Sequence, residues 1–227
     1  MPYAVELEFR TASSFLVAYS VNLSRGGLFV ETDADIPTGA LLTVDFNVPG
    51  AGTGSVNGVV AWRRSLEEAT SGPPGIGIEI QDVAPQLGPM IDKLATSFRG
   101  VHVLLLSGDR QDRTTLARNI KSIIATAEIT QAVNAQVAAS VLTHEIDAAI
   151  IDVDFDLEGG LKTIRAAKAL HPPVPTIAIT SNIAYREQAV AAGTDELLQN
   201  PPPFADLQIT LVRALGKPVA VRQTESA

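Results

Sequence analysis

Two short stretches of the chain carry the residue types that do chemistry. Asp152-Val153-Asp154-Phe155-Asp156 follows the apolar pair Ile150-Ile151 and places three carboxylates within five residues. With Asp109 they have the composition to gather round one divalent cation, since Mg²⁺ is held by one or two carboxylates and completes its shell with water. A solvated acidic strand end is the simpler reading of the same residues. Thr180 closes a second apolar run, Ile177-Ala178-Ile179, and offers a hydroxyl. The other stretch is Asn22-Leu23-Ser24-Arg25-Gly26-Gly27, at the entry to Leu28-Phe29-Val30. An amide and a hydroxyl there supply donors and acceptors, and Gly27 lets the backbone pass close to a ligand. Without a ligand, the same residues stabilise a turn.

The rest of the inventory is short. Trp62-Arg63-Arg64 reads either as a stacking platform or as a strand end whose arginines reach water. His102, His144 and His171 show no metal-ligand spacing. Neither a Gly-x-x-x-x-Gly-Lys phosphate loop nor a Gly-x-Ser-x-Gly elbow occurs. The expectation is therefore no enzyme, no metal and no cofactor.

Composition narrows the partners. The 227 residues contain no cysteine, which excludes a disulfide framework and thiolate chemistry and fits a reducing cytoplasm. Acids outnumber bases in both halves and the net charge is −8, which works against nucleic acid and anionic lipid. The opening MPYAVELEFR does not read as a signal peptide, and no charge-free stretch is long enough to cross a membrane. At 46% hydrophobic and 19% charged, the chain has a globular composition.

The elements that must position these residues follow two different periods. Up to about residue 82, short runs at 15–23, 28–32, 41–48, 56–62 and 76–80 alternate with turn residues and predict a small antiparallel β-barrel. Pro49-Gly50-Ala51-Gly52 and Ser71-Gly72-Pro73-Pro74-Gly75 mark hairpin turns. A helix over 86–98 aligns Leu87, Met90, Ile91 and Leu94 on one face, suited to pack on the barrel. From Val101 onward, continuously apolar runs at 101–106, 148–153 and 176–180, with a weaker one at 128–133 and a short one at 196–199, alternate with helical patterns. That arrangement predicts a doubly wound α/β domain with a five-stranded parallel sheet. The expected organisation is domain one at 1–98, domain two at 101–216 and a flexible polar tail at 217–227.

The Asn22-x-Ser24-x-x-Gly27 motif, with Val60-Ala61-Trp62 and Gly75-Ile76-Gly77-Ile78 as late strands, resembles the PilZ domain, the bacterial cyclic di-GMP receptor barrel. The resemblance implies that Asn22, Ser24, Arg25 and Gly27 are the candidate cyclic di-GMP contacts. Relatives that bind the nucleotide also carry Arg-x-x-x-Arg ahead of the first strand. Here Arg10 follows that strand and Ser14 stands where a second arginine is needed. Losing charge-assisted contacts of about 1.5–3 kcal/mol each weakens the usual binding mode.

The second half resembles a response-regulator receiver. Asp152 stands at the phospho-acceptor position, Gly160 eight residues on, and Thr180 at the switch hydroxyl. Where receivers carry an acidic pair after the first strand this chain has Ser107-Gly108, and where they carry Lys-Pro it has Asn200-Pro201; Leu197 replaces the switch aromatic. The resemblance is thus to a pseudo-receiver with Asp152 and Thr180 inactive, and it implies a non-catalytic signalling adaptor. Its expected partner is a signalling protein or a second copy, met through 184–215 with Leu207 at the seam. A cyclic di-GMP-binding effector is the alternative.

Overall fold

The structure is a computed structural model that describes residues 3–65, 73–80 and 83–225. It divides into two compact units, the first made of residues up to Phe98 together with those from Gly216 onward, the second of Arg99–Leu215.

In the first unit, β1 (Tyr3–Glu8), β2 (Gly27–Glu31), β3 (Leu41–Val48), β4 (Gly52–Arg64), β5 (Gly75–Ile80) and β11 (Ala220–Glu225) form one sheet in the order β11-β1-β3-β4-β5-β2. All neighbours are antiparallel except β1 and β3, and the sheet curls into a half-barrel. Alternation in β3 turns Leu42, Val44, Phe46 and Val48 inward. Phe9, Phe15 and Phe46 meet there, with ring centroids 5.3–6.3 Å apart. The β3–β4 hairpin closes at Gly50 and Gly52, both at positive φ. The other turn expected, at 71–75, lies partly outside the described residues. On β4, Gly54 faces Leu87 and Met90 of α2 (Val83–Ser97), so the amphipathic helix does pack on the sheet.

Two expectations fail here, for different reasons. Residues 15–23 are not a strand: α1 (Ala12–Val21) occupies most of them and a 3-10 turn, Leu23–Arg25, follows. Thr11 and Ser14 form a reciprocal capping box, the Thr11 Oγ1 accepting from the Ser14 N–H at 3.0 Å and the Ser14 Oγ from the Thr11 N–H at 3.1 Å. Burial of Ser14, Phe15 and Ala18 has helical spacing, which overrides the β-branched composition. Part of the expected tail is also a strand. Residues 220–225 pair along the whole of β1, Ala220 opposite Glu8 and Glu225 opposite Tyr3, and Lys217 reaches Glu31 at 2.5 Å.

The second unit is a β/α alternation: β6 (Val101–Leu106), α3 (Arg110–Ile123), β7 (Ala127–Ala132), α4 (Ala135–Val141), β8 (Ala148–Asp152), α5 (Leu157–Lys168), β9 (Thr176–Ile179), α6 (Ile183–Ala191), β10 (Glu196–Leu198) and α7 (Phe204–Gly216). The five strands are parallel in the order β10-β9-β8-β6-β7. This is the flavodoxin-like doubly wound order, and the crevice beyond the carboxyl ends of β6 and β8, where strand order reverses, is where such sheets place ligands. Leu104, Leu106, Ala149, Ile151 and Ala178 form one buried cluster with α4, α5 and α6. The alternate residues Leu105, Ile150 and Ile177 face the other side, and Leu116 of α3 and Leu207 and Leu211 of α7 are also buried.

Candidate functional site

Asp152 ends β8 and Ser107 follows β6, so the reversal of strand order brings them together. Asp152 is 6% exposed. Its carboxylate accepts from the Ser107 hydroxyl at 3.0 Å, the Asp154 N–H at 3.0 Å and the Asn200 amide at 3.3 Å. Burial raises its pKa above the usual carboxylate value; the bonds from Asp154 and Ser107 work against that rise, while the nearby charges of Asp154 and Asp112 add to it. No ammonium or guanidinium is bonded to it among the described residues. Arg113 instead donates to the backbone oxygens of Ser107, at 2.7 Å, and of Gly108 and Asp109.

Asp154, two residues on, is held by a convergence of donors. Its carboxylate accepts from the Thr180 hydroxyl, the Ser181 N–H at 2.8 Å, the Ser181 hydroxyl at 2.9 Å and the Asn200 amide at 3.1 Å. Burial pushes its pKa up, but these bonds outweigh burial and hold it below the ordinary value. Two of the other acids are engaged as helix caps. Asp109 caps α3 through the N–H groups of Gln111 and Asp112, and Asp156 caps α5 through Gly159. Helix caps compete well for carboxylates, since the first N–H groups of a helix lack partners. No group of three or more acidic or histidine side chains among the described residues is placed to hold a metal ion. A second acid at position 108 is also obstructed: a Cβ there would lie 2.0 Å from the Phe155 ring. Gly160 has a packing reason, with its Cβ position 2.8 Å from the Val153 side chain.

In the first unit, Asn22 ends α1 and opens the 3-10 turn, Gly26 takes φ +76°, and Gly27 begins β2. Asn22, Ser24 and Arg25 are exposed; the Asn22 side chain makes no capping bond, while the Ser24 hydroxyl donates to Ser20 O at 3.0 Å. Arg10 is buried, and Ser14 is spent in the capping box. At the β4 end, Trp62 stacks on Phe29 with centroids 5.3 Å apart, and Arg64 lies over both rings at 5.4 and 5.5 Å. Arg63 is ion-paired with Asp35. Gly75 and Gly77 are required beneath, because a Cβ at either would strike Phe29 or Trp62.

Residues 1–96 match the family model of the PilZ domain. No curated protein matches the chain. Among solved structures, the second half is similar to the signal receiver domain of a DNA-binding response regulator from Colwellia psychrerythraea (20% identity, 52% of this chain and 99% of that one, TM-score 0.47). It is also similar to the receiver domain of a sensor histidine kinase from Pseudomonas aeruginosa, described with magnesium coordinated in its active-site cleft (26%, 52% and 99%, TM-score 0.45). A third is a chemotaxis protein from Vibrio cholerae (19%, 51% and 98%, TM-score 0.44). No helix among the described residues is long and apolar enough to cross a membrane.

Sequence reasoning gave Asp152 and Thr180 as matches to the receiver pattern and Ser107 and Asn200 as departures from it. It missed that Asp154 draws Thr180 and Asn200 onto itself. The available signal was an acid two residues after Asp152 together with the hydroxyl pair Thr180-Ser181 closing the next apolar run.

Proposed function

We propose that the protein is a cytoplasmic, non-catalytic bacterial signalling adaptor that works by protein contact, its second unit being a pseudo-receiver. The observation carrying this reading is the makeup of the Asp152 pocket, where neutral groups, Ser107 and Asn200, stand in place of acids and a cation. The contact surface is the pair of helices before and after β10. Leu207 is not its seam, because that side chain is fully buried; Ile183 and Val190 of α6 and Phe204 and Ile209 of α7 are exposed apolar residues, at 77%, 58%, 46% and 63%. The double variant Val190→Asp, Ile209→Asp, folded by circular dichroism, is expected to lose the partner that the wild-type chain retains in a pulldown from its native cell. Any self-association seen by light scattering should go with it. Unchanged partners and mass would remove these helices from consideration.

A second reading, a cyclic di-GMP effector, draws support from the exposed Asn22, Ser24 and Arg25 side chains on one turn. Against it, Arg10 is buried and Ser14 is engaged in the capping box. Calorimetry with the dinucleotide is expected to show no binding in the micromolar range. Binding in that range, abolished by Ser24→Ala, would put the effector reading first.

A further inference from the structure

We propose that Asp154 is a resident latch: its carboxylate ties the β9–α6 loop and the β10–α7 loop to the β8–α5 loop, fixing this rim of the sheet in one arrangement with no added ligand. The inference goes beyond the adaptor reading and does not depend on it. Four donors from two separate loops converge on the two carboxylate oxygens: the Thr180 hydroxyl, the Ser181 N–H and hydroxyl, and the Asn200 amide. They reach Asp154 across 26, 27 and 46 positions of sequence, so each bond closes a long excursion of the chain. Bonds to an ionised acceptor are roughly twice as strong as neutral ones.

The arrangement leaves little for an external anion to do. Thr180 Oγ1 also accepts the Asn182 N–H at 3.0 Å, and Asn182 in turn caps α6 through Ala184. The latch thereby reaches the first turn of α6, while Asn200 anchors the residues leading into α7. Asn200 bridges both acids, at 3.3 Å to Asp152 and 3.1 Å to Asp154, and so fills the space between them with a neutral amide.

Amide hydrogen exchange on the full chain reads the latch directly. In Asp154→Ala, exchange at Ser181 and Asn182 is expected to rise by about tenfold or more, given the worth of charge-assisted bonds, with the amides of β6 and β8 unchanged. Asp154→Asn, which keeps the shape and one acceptor oxygen without the charge, decides the matter if the alanine variant fails to fold. It should speed exchange at Ser181 as well. Addition of inorganic phosphate to the wild-type chain should leave exchange at Ser181 unaltered, because its donors are already engaged. Wild-type exchange in both variants, or phosphate-dependent protection of Ser181 in the wild type, overturns the proposal.

Discussion

Leu207→Asp is expected to unfold the α/β unit rather than to loosen a partner. The side chain is fully buried on α7 beside the equally buried Leu211, so the substitution removes a packed leucine and strands a carboxylate away from water. Cavity formation alone costs about 2–5 kcal/mol, and an unpaired buried charge adds several more unless it neutralises. Against a domain stability of roughly 5–15 kcal/mol, the sum is enough to lose cooperative folding. Urea titration followed by far-ultraviolet circular dichroism checks this, with Ile209→Asp as the control. Two residues away on the same helix, Ile209 is 63% exposed, and its variant should keep the wild-type midpoint. A Leu207→Asp chain that melts like the wild type would mean that α7 does not lie as described.

The second large effect is an absence. Incubated with acetyl phosphate, or with beryllofluoride, and Mg²⁺, the wild-type chain is expected to form no stoichiometric adduct at Asp152 by intact mass or fluorine spectroscopy. Phosphoryl transfer is driven by positioning and by neutralising charge on the transferring oxygens. Here the groups bonded to Asp152 are a hydroxyl, an amide and a backbone N–H. Asp154, the acid two residues on, is committed to Thr180, Ser181 and Asn200. Restoring one acid by Ser107→Asp leaves Gly108 covered by Phe155 and Asn200 uncharged, so that variant should remain inert too. An adduct that disappears in Asp152→Asn would show the pocket to be competent.

Much of the architecture is legible without coordinates. In β6 and β8, continuous apolar runs announce strands buried on both faces, and in β3 strict alternation announces a strand with one wet side. The segment 15–23 misleads because its β-branched and aromatic residues look strand-like over a short window, whereas the outcome depends on a capping box beginning at Thr11, upstream of that window. The polar 217–227 segment misleads for another reason. Its ladder with β1 is made of backbone groups from the two ends of the chain, and backbone pairing leaves little trace in side-chain hydropathy.

By itself the amino-acid order determined the two classes of unit, the boundaries of most elements, and the residue types, Ser107-Gly108 and Asn200-Pro201, that follow β6 and β10, because those follow from local periodicity and from residue type. Only the tertiary structure decided that β11 completes the first sheet, that Leu207 is core while Ile209 is surface, and that Asp154 gathers donors from two distant loops. Each of these depends on which groups a folded chain brings within hydrogen-bond or van der Waals reach, and that is set by strand order and helix rotation, which no short window of sequence encodes.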